Sequence, residues 1–103
     1  MQSELDLFVA NHDHPVTLRN LATRGDLRRF RKGSILIHEG DLGDTLFIVL
    51  KGRVKVYCMD EHAREITFGI FGAGEYVGEM ALDGGPRSAS VITLEPTVCS
   101  VVR

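Results

Sequence analysis

Residues 52–58 read GRVKVYC. In an extended chain successive side chains point to opposite faces, so Val54, Val56 and Cys58 share one side and Arg53, Lys55 and Tyr57 the other. The stretch predicts a strand with one buried face and one wet face. From residue 27 onward the same period of two governs the chain.

Residues 45–50, TLFIVL, are apolar from Leu46 on, which predicts a strand covered on both sides. Residues 50–53, LKGR, read as the turn of a hairpin joining these two strands. On the other side the polar run MDEHAR (59–64) leads into REITFGIF (64–71), a partner strand with Ile66, Phe68 and Ile70 on its inner face. Two more strands lie in SASVIT (88–93) and TVCSVVR (97–103), divided by Leu94, Glu95 and Pro96, since proline cannot donate to a ladder. Glycines at 33, 40, 43, 52, 69, 72, 74 and 78 punctuate short strands with tight turns. Seven or eight such strands predict a mainly β fold closed into a sandwich, jelly roll or barrel, because closure hides strand edges.

Helix is expected only near the N-terminus and in the GEMAL stretch. Ser3 is suited to cap a helix carrying Leu5, Phe8 and Val9, and Thr17 to cap a second one carrying Leu18, Leu21 and Ala22, with Gly25 as its stop. The division expected is a helical segment over 1–26 and a β domain over 27–103.

A chain of 103 residues has room for one modest core. Apolar residues make up 44%, charged residues 25%, and the net charge is -2. That balance argues against nucleic-acid binding by bulk charge. The longest apolar run, LFIVL, falls far short of the roughly 20 residues that span a bilayer, and MQSELDLFVANHDH has no signal-peptide pattern. A cytoplasmic protein is expected, with no membrane partner. Cys58 and Cys99 match no metal-ligand spacing and are expected to be buried and reduced.

The chemistry concentrates in GEYVGEMALDGGPRSASV, residues 74–91. Gly78 permits a sharp entry into one helical turn, Glu79, Met80, Ala81 and Leu82, whose first amides lack intrahelical partners and suit an anion. Gly84 and Gly85 reverse the chain, and Pro86 fixes the backbone just before Arg87. A guanidinium offers two parallel hydrogen bonds to a phosphate. Glu75, Glu79 and Asp83 surround that one arginine, so a singly charged phosphodiester suits the site better than a polyphosphate. An ionised Glu79 accepts hydrogen bonds from a sugar hydroxyl, and ribose with phosphodiester suggests a nucleotide. The lysines, Lys32, Lys51 and Lys55, sit in no P-loop pattern.

These residues carry a resemblance. FGAGEYVGEMALDGGPRSASV (71–91) resembles the phosphate-binding cassette of cyclic nucleotide-binding domains, found in catabolite-activator-type regulators, kinase regulatory subunits and gated channels. KGSILIHEGDLGDTLFIVLKGRVKVY (32–57) is similar to the family's first strands and turns, so the likeness runs from 27 to 103. It implies an eight-stranded β-roll, a jelly roll or double-stranded β-helix, with short N-terminal helices and a one-turn helix in the cassette. It implies that Glu79 takes the ribose 2′-hydroxyl and Arg87 the cyclic phosphate, that amides near Ala81 and Ser88 complete the cradle, and that Gly78 and Leu82 shape it. Met80, Pro86 and Ala89 complete the expected ligand-binding set.

The ligand expected is cAMP in preference to cGMP, although a hydroxyl at the position of Ser88 touches phosphate or base in the family and sometimes accompanies preference for cGMP; no further cofactor, metal or catalytic residue is expected. Helices beyond residue 103 would cap the base. Implied partners are the small-molecule nucleotide and either a second copy of the chain or an attached effector, such as a helix-turn-helix. The domain itself binds no nucleic acid.

Two other readings stand beside it. A cupin-like metal enzyme shares the topology but needs a His/Glu constellation, and the His12 and His14 pair lacks a third ligand nearby, which favours a solvated loop. An interaction domain with a silent pocket is the other. His38 and His62 are expected at the surface, and RRFRK (28–32) as a strand with one wet face.

Overall fold

A computed structural model describes residues 3–78 and 85–103. Two helices precede eight strands: α1 (Glu4–Ala10), α2 (Val16–Ala22), β1 (Asp26–Phe30), β2 (Ile35–Ile37), β3 (Leu46–Lys51), β4 (Arg53–Met59), β5 (Glu65–Gly72), β6 (Tyr76–Val77), β7 (Ser90–Thr93) and β8 (Thr97–Val102). They form two four-stranded antiparallel sheets, ordered β1-β8-β3-β6 and β2-β7-β4-β5. The mainly β roll is thus the observed fold. The one-turn helix expected at Glu79, Met80, Ala81 and Leu82 lies outside the described residues.

The core between the sheets holds Ile37, Phe47, Val49, Val54, Val77, Val91, Cys99 and Val101. Residues of opposite parity on β3 and β8, Ile48, Leu50 and Val98, form a second cluster with Phe8 and Ala22 beneath the helices. β3 is therefore covered on both sides, as its unbroken apolar run requires. Ser100 is fully buried on that same helix-facing side and donates from Oγ to the Ala22 carbonyl at 2.6 Å. Gly25 lies so close to β8 that a Cβ would collide with Ser100 Oγ.

Four expectations need correction. The LKGR turn is not a hairpin: β3 pairs with β6 and β8, β4 with β5 and β7. Gly52 instead carries the chain from one sheet to the other, at φ +101 and so close to Pro96 and Thr97 that a Cβ would meet the Pro96 carbonyl at 2.7 Å. Alternation predicts which face a residue takes, and it is silent on which strand lies alongside.

Ile66, Phe68 and Ile70 do not share an inner face. Val56 pairs with Gly69 and Tyr57 with Thr67, which leaves Phe68 as an extra residue, a β-bulge. The bulge shifts the phase of β5, so beyond it Phe71, opposite Val54, packs on the core and Ile70 turns away; Ile66, Phe68 and Ile70 are exposed by 45%, 60% and 53%.

Thr17 does not cap α2, which starts after Pro15 without a side-chain cap. Ser3, by contrast, caps α1 through a reciprocal box with Asp6.

His14 is half-buried and not a freely solvated loop residue. Its ring stacks on Phe8 with centroids 4.2 Å apart and lies against Gly74, where a Cβ would be 2.7 Å from Cε1. His12, His38 and His62 are exposed, as are Arg28 and Arg29 on β1.

Candidate functional site

Arg87 is the deepest charge in the described molecule, 9% exposed. Two backbone hydrogen bonds fix its main chain: its amide donates to the Asp41 carbonyl, and its carbonyl accepts from Gly40, both at 2.8 Å. Its side chain donates from Nη1 to the Gly78 carbonyl and from Nη2 to the Thr45 carbonyl, each at 2.9 Å. Gly43 leaves room for the guanidinium, since a Cβ there would sit 3.4 Å from Nη2. The chain segments before β3, after β6 and before β7 therefore converge on one cation.

Gly78 makes that convergence possible. It stands at φ +100, and a Cβ would lie 2.5 Å from the Thr45 carbonyl oxygen and 3.0 Å from Arg87 Nη1. Only glycine fits such a position.

The guanidinium carries five N–H donors, and carbonyls neutralise no charge. Among the described residues Arg87 enters no ion pair; the pairs are Arg29–Glu4, Arg53–Glu95, Lys55–Glu65, His62–Glu61 and Arg64–Asp60. A buried cation without a counter-charge is costly, and an anion beside it removes that cost. Glu75 does not serve, because its Oε1 accepts from the Gly72 amide at 2.9 Å and closes its own turn.

Arg87 opens onto a small, open-mouthed cleft of about 120 Å³. Gly78, Ser88 and Ala89 line it beside the arginine, while Val56, Phe68 and Phe71 supply apolar surface. Arg87 also borders a second hollow with His38, Asp41 and Thr45. Pro86 and Ser88 are exposed, and Ala89 is half-buried.

Of the residues singled out in the sequence, Gly78, Arg87, Ser88 and Ala89 meet at this cleft; Pro86 is not among its lining residues. Glu79, Met80, Ala81 and Leu82 lie outside the described residues, as does Asp83. Sequence reasoning missed the Thr45 carbonyl, because a main-chain acceptor has no side-chain signature. It missed Phe68 because the bulge is invisible to a period-two reading. Gly43 carried a signal, in the repeated glycines of EGDLGD.

Among the described residues no group of three or more His, Cys, Asp or Glu converges on a metal-sized space. The donor set of a cupin-like centre is thus not assembled there. Cys58 and Cys99 are free thiols, with Cys58 half-buried and Cys99 buried. No helix among the described residues is long and apolar enough to cross a membrane.

Known proteins similar to this chain bear on its fold and family. The cAMP-activated global transcriptional regulator of Haemophilus influenzae is 33% identical over 106 aligned positions, covering 96% of this chain and 46% of the regulator. The catabolite activator protein of Thermus thermophilus superposes with a TM-score of 0.77 at 31% identity, over 97% of this chain and 46% of that one. The EAL enzyme Bd1971, solved in cAMP-bound and cGMP-bound forms, gives a TM-score of 0.71 at 41% identity over 75% of this chain. The match takes in 21% of the cAMP-bound enzyme chain. The chain thus spans less than half the length of these relatives. The family model for the cyclic nucleotide-binding domain matches residues 27–103. This chain belongs to the family of cyclic nucleotide-binding domains.

Proposed function

We propose that this chain is a regulatory sensor module that binds cAMP in preference to cGMP and performs no chemistry on it. The observation that carries the reading is the buried Arg87 guanidinium, held by two carbonyls and facing a cleft without a described carboxylate partner. A cyclic phosphate supplies one negative charge and two acceptor oxygens at that point. The preference for cAMP draws on the regulator above that is named for cAMP activation.

In this reading Arg87 takes the phosphate, Glu79 the ribose 2′-hydroxyl, and the amides near Ala81 and Ser88 the remaining phosphate oxygen. Gly78 and Leu82 shape the cradle, and Met80, Pro86 and Ala89 border it. The binding unit is the roll over 27–103, with the helical segment 1–26 packed on it. Ligand favours the state in which residues 78–87 close on the phosphate, and so biases whatever is attached, a second copy or an effector domain in the cytoplasm. No side chain among those named is asked to break a bond.

Calorimetry with cAMP, cGMP, 5′-AMP and 5′-GMP tests this directly. Saturable heat with the cyclic forms, strongest for cAMP and absent for the linear ones, is expected. Equal binding of 5′-AMP and cAMP, or no heat with either cyclic nucleotide, would overturn it.

A further inference from the structure

The two sheets differ in what lies outside them. The helices cover the outer face of β1-β8-β3-β6, where Ile48, Leu50 and Val98 are buried with Phe8 and Ala22. The outer face of β2-β7-β4-β5 has no such cover, yet it is not polar throughout. Ile35 pairs with Ile92, Ile92 with Lys55, and Lys55 with Ile70, so one register row crosses all four strands. Cross-strand partners share a face. Here it is the outer one, because Val54, Val91 and Phe71, the chain neighbours of Lys55, Ile92 and Ile70, pack in the core. Ile35 and Ile70, at the two ends of the row, are exposed by 44% and 53%.

The one charge in the row is drawn off it. Lys55 Nζ lies 5.3 Å from the centroid of the Tyr57 ring and donates to both carboxylate oxygens of Glu65, at 3.0 and 2.9 Å. Its methylene stem is what stays between Ile92 and Ile70. On the other side of the row Arg53 pairs with Glu95 at 2.9 Å. An apolar stripe thus lies between two ion pairs, which is the layout of a protein interface: an apolar middle and a polar rim.

Charge and symmetry together select the occupant. In a face-to-face pair about a two-fold axis parallel to the strands, the strand order of one copy runs opposite to that of the other. Ile35 then lies over Ile70 of the other copy, and Ile92 over the stem of Lys55. At the rim the β4 side, which carries Arg53, meets the β7 side, which leads into Glu95, so opposite charges face each other. An axis running across the strands would instead set Lys55 over Lys55.

We propose that this chain associates with a second copy of itself through the outer face of β2-β7-β4-β5, about a two-fold axis parallel to the strands. The stripe is small, so the dimer is weak and reversible. The Arg87 cleft is lined by Val56 and Phe71 from the inner side of the same strands, so the contact and the cleft use opposite faces of one sheet. The inference therefore stands independently of the proposed ligand.

Sedimentation velocity of the intact chain, from micromolar to near-millimolar concentration, tests it. Wild type should pass reversibly from monomer to dimer. Ile70→Lys and Ile35→Lys each set an ammonium against an isoleucine of the other copy and should weaken association about tenfold or more, with circular dichroism melting as the check on folding. Arg53→Glu and Glu95→Arg should each lose the dimer by bringing like charges together, and an equimolar mixture of the two should regain it as a heterodimer. Wild type that stays monomeric at the highest concentration overturns the proposal. A dimer that survives both isoleucine changes also overturns it, by placing the contact elsewhere. A mixture of the charge variants that associates no better than either alone refutes the two-fold arrangement.

Discussion

Arg87 reaches back nine residues to donate from Nη1 to the Gly78 carbonyl at 2.9 Å, so the cation of the site and the glycine that opens it are one unit. The other end of the guanidinium is held 42 residues upstream, at Thr45. Replacing Arg87 by alanine removes both ties and the charge. For a buried charge contact the loss in ligand binding is ~2 to 5 kcal/mol, more than tenfold in affinity. Arg87→Lys should recover little, because an ammonium lacks the planar fork that serves two carbonyls and an anion together. Titration calorimetry with cAMP checks this, and an Arg87→Ala protein that binds like wild type would refute the role.

Gly78→Ala should damage stability as well as binding. At φ +100 a side chain is strained, and its Cβ would fall 2.5 Å from the Thr45 carbonyl. Backbone strain of this type costs about 1 to 3 kcal/mol, before any displacement of Arg87. Each kcal/mol lowers the melting temperature of a domain of this size by about 4–8 °C. Thermal unfolding followed by circular dichroism reads the effect. A melting temperature equal to wild type would mean that the backbone there is not held as described.

The strands and the arginine site were legible in the sequence, and the connections were not. Period two in GRVKVYC and the apolar run LFIVL set the faces of β4 and β3, because burial acts on each residue separately. Pairing is a property of two strands, so nothing local marked Gly52 as a crossing between sheets. β5 misled for a related reason. One extra residue at Phe68 shifts the phase, and no propensity distinguishes that residue from its neighbours. Arg87 could be read because glycine, proline and arginine each impose a local constraint; its main-chain acceptors could not. Similarly, α2 begins directly after Pro15, whose ring fixes φ at the N-cap, so Thr17 falls inside the helix and does not cap it.

Ser100→Ala should be costlier than its size suggests. Ser100 is fully buried, and its hydroxyl donates at 2.6 Å to the carbonyl of Ala22, near the end of α2. Truncation leaves that buried carbonyl without this donor, a cost of about 1 to 3 kcal/mol. Urea unfolding should show a lower midpoint with an unchanged slope. A midpoint within error of wild type would mean that another donor reaches Ala22.

Acid should loosen the helical segment in a defined window. The hydrogen bond from Arg29, at 2.8 Å, is the main cause that lowers the Glu4 carboxyl from 4.5 to about 2. A depressed carboxyl contributes stability that is present above its unfolded value and lost as pH falls toward the folded one. The Glu4–Arg29 contribution should therefore be intact at neutral pH and fade between about 4.5 and about 2. Glu4→Gln should be less stable than wild type at pH 7, with the gap closing by the bottom of that window. Both side chains reach solvent, so added salt should shrink the gap. A gap that persists at the lowest pH would show that the ion pair is not its source.

The two thiols should separate cleanly by reactivity. Thiolate, not thiol, attacks alkylating reagents, so reaction depends on access and on the ease of deprotonation. Cys99 sits between the sheets with no exposed surface, and burial pushes its thiol up to about 12. Near neutral pH it presents almost no thiolate and no path to a reagent. Cys58 lies half-buried on β4, opposite the exposed Ile66. Native protein treated with iodoacetamide should thus gain one adduct at Cys58, and denatured protein two, as read by intact mass and peptide mapping. Because Cys99 reacts only through opening of the roll, its labelling rate in mild denaturant reports the stability of the core that carries Val49 and Val54. Rapid labelling of Cys99 in the native state, at a rate matching Cys58, would mean that the two sheets part far more readily than their packing implies.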